Sequence, residues 1–211
     1  VLPSNNERAA FDEECDDNLN RVVASLGSSL KDAAVSLREI SDNGWFLELK
    51  ADYAKEMVTG FIKLNGTTVG AVANRCEIYN EGGEKETEFQ PQLSAKGCEK
   101  AARFIEFCDA FDIPVLTLTN ATGFRADKHN EFRIARAAAK LTAALAEATV
   151  PKVNVIVGKA YGSAYTIMNS QALGADLTFA WESAQVGMMD AIADITGVCM
   201  LFDELSPDRV V

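Results

Sequence analysis

The chain has 211 residues, 48% of them hydrophobic, so it can bury a core of its own, and one large domain is expected rather than two. Its 31 acidic against 20 basic residues give a formal net charge of -11, which opposes nonspecific attraction to nucleic acid phosphates or to an anionic membrane surface. No segment approaches the roughly 20 uninterrupted apolar residues of a membrane span, and no basic-then-apolar leader is present.

In chain order, residues 1–18 are polar and acidic, with Pro3 near the start, and read as a linker or surface arm ahead of a domain over 19–211. Because the chain opens on Val1 in an extended stretch, an upstream portion is expected to have been removed. Residues 20–29 carry no clear pattern. Ala34, Val35, Leu37 and Ile40 predict a short amphipathic helix over 31–40. Two apolar runs, 58–64 and 67–73, flank Asn65-Gly66, the strongest short hairpin signal. The charged stretch 81–88 predicts an exposed, solvated loop. Helical spacing recurs from Ser94 to Phe111 until Pro114 stops it before the buried strand 115–118. A loop over 120–130, an alanine-rich helix over 131–148 and a strand over 153–157 repeat that order. A glycine-bearing turn, a helix over 163–173 and short strand pieces at 176–181 and 185–188 follow. Strand, strand, helix as a recurring unit implies an α/β fold with a parallel sheet core and outer helices.

Chemistry is sought first where a strand turns into a helix. After 153–157 come Gly158-Lys159-Ala160-Tyr161-Gly162-Ser163-Ala164-Tyr165. Small residues there let a ligand approach the backbone, and the first amides of a helix have no intrahelical partner. Such amides suit a developing oxyanion, as in enolate chemistry on a thioester. The bland alternative is that Gly162, Ser163 and Ala164 are small to allow close helix–sheet packing. A second candidate, Asn120-Ala121-Thr122-Gly123-Phe124, also follows a strand of the inferred sheet, where α/β proteins bind ligands. There the alternative is a turn glycine with Phe124 as a core plug. Cys15, Cys76, Cys98, Cys108 and Cys199 are odd in number, lack C-x-x-C spacing and read as reduced thiols of a cytoplasmic protein. His129, the single histidine, has no ligand company, so no metal site is expected. It reads as solvated beside Lys128. Arg133 and Arg136 are candidates for a phosphate or a neighbouring subunit, with a surface salt bridge as the default. Tyr161 and Tyr165 flank the amide turn, and core packing accounts for them equally well.

At these residues the chain resembles the carboxyltransferase family of biotin enzymes, which includes propionyl-CoA carboxylase beta subunits and methylmalonyl-CoA and glutaconyl-CoA decarboxylases. The resemblance lies in Lys96-Gly97, Ala101-Ala102-Arg103-Phe104-Ile105, Phe107 to Phe111, Ile113-Pro114, Gly123-Phe124, Ala146 to Val153 and Lys159 to Tyr165, with Leu2 to Asn6 like the connector between the family's two halves. It implies a crotonase-like ββα spiral and places the chain as the C-terminal carboxyltransferase domain, without the N-terminal CoA-binding half. It also implies an active site shared with the N-terminal half of a neighbouring subunit, in a homo-oligomer, and a biotin carboxyl carrier domain as partner. Amides matching Ser163 and Ala164, after Gly162, would hold the ureido oxygen of carboxybiotin. Tyr161, Tyr165, Thr166, Gly123 and Phe124 would line the biotin and substrate site. With biotin as the base and acyl-CoA as substrate, no Glu or His need act. Ser163, where carboxylases of the family commonly have a second glycine, and Thr166, at a position implied to select acyl length, lean towards a decarboxylase or a small acid. A membrane would be met only indirectly, within a decarboxylase complex. Beyond Asp190 the likeness fades.

Two further readings stay open. A free-standing crotonase-fold hydratase or isomerase needs a placed carboxylate, and none lies within 160–171. A noncatalytic assembly domain would keep the fold and bind neither ligand.

Overall fold

The computed structural model describes residues 23, 26–80 and 82–189, so the expected arm over 1–18 and the segment 191–211 lie outside the described residues. Helix α1 (Leu26–Ser29) precedes α2 (Ala33–Ile40), whose N-cap Asp32 accepts from the Ala34 N–H at 3.1 Å. Strand β1 (Phe46–Glu48) was not signalled by the sequence, being too short to show a period. It pairs antiparallel with β2 (Met57–Leu64), which forms the expected hairpin with β3 (Thr67–Asn74). Asn65 (φ 51) and Gly66 (φ 75) take the two left-handed positions of a tight hairpin turn. Both Asp42 carboxylate oxygens accept from their N–H groups, at 3.1 and 2.8 Å.

The stretch 81–88 is not all loop. β4 (Glu77–Tyr79) and β5 (Lys85–Glu88) pair antiparallel, with Glu77, Lys85 and Glu88 linked across the ribbon by ion pairs. The alternating charges that suggested solvation are those of a two-stranded ribbon with its polar side chains in water. After β6 (Gln92–Leu93) comes α3 (Ala95–Ala110), capped by Ser94, which accepts from the Gly97 N–H at 2.9 Å. β7 (Val115–Ala121) is longer than expected. The loop predicted over 120–130 holds β8 (Gly123–Phe124) and the short α4 (Lys128–Glu131), while α5 runs Ile134–Glu147.

β9 (Lys152–Tyr161) continues through Gly158 where a turn was expected, because its far end pairs with Ala121 and with β11 (Gln185–Gly187). The helix expected over 163–173 is only α6 (Gly162–Thr166). Asn169 turns left-handed at φ 56, and a single turn at Gln171–Leu173 ends on Gly174 at φ 107. β10 (Leu177–Ala180) closes the order β1-β2-β3-β7-β9-β10, in which β3, β7, β9 and β10 are parallel.

Alternation along these strands feeds two cores. Met57, Val72 and Val115 face α3 and α5, packing with Ile105, Leu141 and Leu145, whereas Val58, Ile62, Ala71 and Leu118 face α2 and its Leu37. Full burial of each large aliphatic side chain there contributes about 1.5–3 kcal/mol. Because Met57 pairs with Asn74, β2 begins at the edge where β3 ends. The segments before β2, after β3, after β7 and after β9 therefore meet along the carboxyl edge of the parallel strands, which is where the candidate site sits.

Candidate functional site

Strand β9 becomes α6 without an intervening loop, and Gly162 makes that possible. Its φ of 54 is left-handed, and a Cβ there would stand 2.9 Å from the Met188 carbonyl oxygen. No side chain caps the helix. None of the turn, loop and cap hydrogen bonds among the described residues uses the Ser163 or Ala164 N–H. Ser163 is exposed, whereas Ala164 is 1% exposed as a whole residue and packs into the core facing α3 and α5, so the surface at the start of α6 is that of Ser163. Thr166 is exposed, with its hydroxyl donating to the Gly162 carbonyl at 3.2 Å. Tyr165 is half-buried. Tyr161 is 6% exposed, and its hydroxyl reaches Gln185 Oε1 at 2.8 Å, so it packs beneath the turn and anchors β11.

The second turn lies alongside. α6 packs against β8, so Gly123 and Phe124 are neighbours of the amide segment. Phe124 is half-buried against the core, in keeping with a plug, whereas nothing lies within 4 Å of a Cβ placed on Gly123. The loop is held from the other side: Thr122 donates its N–H to Pro91 O at 2.7 Å, and Arg125 donates to Leu93 O at 2.9 Å.

Beneath both turns runs a buried polar network that the strand patterns did not reveal. Thr117 and Thr119 hydroxyls reach Asn154 Oδ1 at 3.0 and 2.7 Å, Thr119 also lies 3.3 Å from the Met168 carbonyl, and Asn169 Nδ2 donates to Thr117 at 3.1 Å. It ties β7, β9 and the chain leaving α6 together in a dry interior. The one signal for it in sequence is Asn154 inside an otherwise apolar strand. Arg75 is a second unanticipated tie: it is 7% exposed and ion-paired with Asp32 at 3.0 Å and Glu48 at 3.2 Å, joining the exit of β3 to α2 and β1.

The charged candidates gather elsewhere on the same edge. His129, Arg133, Lys96 and Lys55 line a recess of about 370 Å³, together with Asp52 and Glu56. No ion pair among the described residues involves Arg133 or Arg136, so the salt bridges expected for them are not formed. The described thiols are held protonated by burial, Cys76 pushed up to about 11 and Cys98 and Cys108 to about 12. Cys15 and Cys199 lie outside the described residues. No helix among the described residues is long and apolar enough to cross a membrane.

A family model described as the carboxyl transferase domain matches residues 3–197. A putative propionyl-CoA carboxylase beta chain of Bacillus subtilis is 42% identical over 172 residues, which cover 81% of this chain and 32% of the relative. Methylmalonyl-CoA decarboxylase subunit alpha of Propionigenium modestum is 38% identical over 202 residues, covering 89% and 36%. The crystal structure of transcarboxylase 12S, a hexamer with methylmalonyl-coenzyme A and methylmalonic acid bound, superposes with a TM-score of 0.75 at 35% identity, over 98% of this chain and 39% of that one. The crotonase-like α/β fold expected from the sequence therefore holds, with its parallel-rich sheet and outer helices. The chain spans about a third of the length of the curated relatives it matches.

Proposed function

The chain belongs to the carboxyl transferase domain family, and from that premise we propose that it is the biotin-facing half of an active site that moves a carboxyl group between biotin and the alpha carbon of an acyl-CoA. The observation that carries this reading is the pair of uncapped amides at Ser163 and Ala164, at the carboxyl end of β9 and beside the open space at Gly123. Biotin, when bound, supplies the carboxyl carrier and the base. This chain's residues fit it: an exposed Ser163 whose N–H is in none of the turn and cap hydrogen bonds of the described residues, small side chains on either side, and a half-buried Tyr165 and exposed Thr166 as flanking surface.

These donors are fixed before the ligand arrives, because Gly162, the buried Ala164 methyl and the network at Asn154 hold the segment in place. An oxyanion that develops there is stabilised without reorganisation, and one such donor is worth about 2.7–4 kcal/mol of barrier. In this scheme the neighbouring N-terminal half binds acyl-CoA, the biotin carrier domain docks at the same carboxyl edge, and the chain works within an oligomer. Relatives that carboxylate and relatives that decarboxylate both match, and the same amides serve either direction.

Titration of ¹⁵N-labelled protein with biotin, and separately with propionyl-CoA, tests this. The expected result is a downfield shift of the Ser163 and Ala164 amide protons with biotin. Shifts confined to the acyl-CoA titration would favour a hydratase-like protein, and no response at those amides to either ligand would favour an assembly domain. The polypeptide by itself is expected to show no carboxyl transfer, and robust turnover would overturn the shared-site scheme.

A further inference from the structure

The register between β7 and β9 changes just before the two turns. The strands pair in step from Val115↔Lys152 to Thr119↔Ile156 and resume at Ala121↔Ala160. Asn120 alone therefore stands opposite Val157, Gly158 and Lys159. Two extra residues, roughly 7 Å of extended strand, are absorbed locally in β9.

Hydrophobic alternation does not select this arrangement. A shift of two residues keeps every side chain on its own face, so the period of two by itself does not distinguish this arrangement from a continuous register with Ala121 opposite Gly158. The choice falls to polar groups. A bulge takes main-chain N–H groups off the ladder, and each needs another acceptor. The Lys159 N–H finds one in Asn120 Oδ1 at 3.0 Å. Asn120 Nδ2 lies 3.1 Å from Cys76 Sγ, and the Asn120 N–H donates to Asn74 Oδ1 at 3.1 Å, which links the insert to the exit of β3. Gly158 provides the room: a Cβ there would stand 2.7 Å from both Cγ and Oδ1 of Asn120.

We propose that Asn120 is a positioning residue whose carboxamide selects the bulged register of β9, and so sets where the Ser163 and Ala164 amides stand relative to Gly123 and Phe124. Its bearing on biotin rests on the proposed function. Its bearing on the strand register does not.

The test uses Asn120→Ala, Asn120→Asp, Gly158→Ala and the Asn120→Ala/Gly158→Ala double variant, with two readouts. The first, which needs no ligand, is amide hydrogen exchange at Lys159 by NMR, with global unfolding measured in parallel. In Asn120→Ala this exchange should quicken by about 3- to 10-fold beyond any change in global stability, the factor that corresponds to one hydrogen bond. Asn120→Asp keeps the acceptor and should hold Lys159 protection within about twofold of the parent. Gly158→Ala should expel the carboxamide and reproduce the loss, yet add nothing in the Asn120→Ala background. The second readout is biotin affinity, which should follow Lys159 protection across the set rather than melting temperature. Unchanged Lys159 exchange in both Asn120→Ala and Gly158→Ala, or additive effects in the double variant, would overturn the register lock. Full biotin affinity in a variant with Lys159 loosened would overturn its role at the site. A parent that binds no biotin, with the exchange pattern as expected, would sink the proposed function and leave the lock standing. Should Asn120→Ala fail to fold, Asn120→Asp and Gly158→Ala still give opposite expectations.

Discussion

Gly162 and Gly123 both follow a strand of the same sheet, and in sequence they carry the same signal; in the fold they answer to different forces. Gly162 is required by its backbone, since an L side chain would meet both a left-handed φ of 54 and the Met188 carbonyl at 2.9 Å. Gly123 has no positive φ, and nothing lies within 4 Å of the place a methyl group would take, so its surroundings do not demand glycine. A glycine after a strand thus marks a forced conformation in one place and open space in the other. Only the second kind of position leaves room for a ligand, and only the first sets where the donors are.

The sharpest way to break that contrast is Gly162→Ala, which should cost roughly 1–3 kcal/mol of stability in chemical denaturation and weaken biotin binding with it. A cost like that of an ordinary surface substitution would mean that the two turns do not differ. Next in size is Asn154→Ala, which removes the acceptor that Thr117 and Thr119 share beneath both turns. Each hydroxyl keeps a main-chain acceptor, Thr117 the Val153 carbonyl at 3.2 Å and Thr119 the Met168 carbonyl at 3.3 Å, so the expected cost is about 1 kcal/mol, and exchange should quicken at the amides of α6.

A smaller effect comes from Cys76, the thiol that Asn120 contacts. Burial, with the Glu77 charge next, raises it from 9.0 to about 11, so the folded state keeps its proton where the unfolded chain has lost it. Its contribution is therefore fully present below pH 9 and is lost as pH rises from 9 towards 11. The alkaline fall in stability should be shallower in Cys76→Ser, measured by urea unfolding across that range. Smallest of all, Gly123→Ala should change stability by less than about 0.5 kcal/mol. If the space beside it is part of the site, biotin affinity should still drop. A large loss of stability instead would show that Gly123, like Gly162, is held by its backbone.

Much of the local structure around these turns was legible in the residues themselves. The Asn65-Gly66 hairpin, the Ser94 start of α3 and the amide turn after β9 each rest on local chemistry: a turn that favours positive φ, a hydroxyl that caps a helix, small side chains where a strand ends. What was misread shares a cause as well. The helix expected over 163–173 stops at Thr166, and the turn expected at Gly158 is strand, because Asn169, Tyr161 and Gly158 are committed to partners far along the chain: Thr117, Gln185 and Asn120. Tyr161, for which core packing was an equal alternative, packs under the turn.

By itself, the order of residues determined the longer helices and strands, their apolar faces and the placing of glycines and small side chains at two strand ends, since each depends on neighbours within a few positions. The tertiary structure alone decided the two-residue offset between β7 and β9 and the ties made by Arg75 and Asn154. Those depend on hydrogen bonds between residues tens of positions apart, and a repeat of two along a strand is blind to a slip of two.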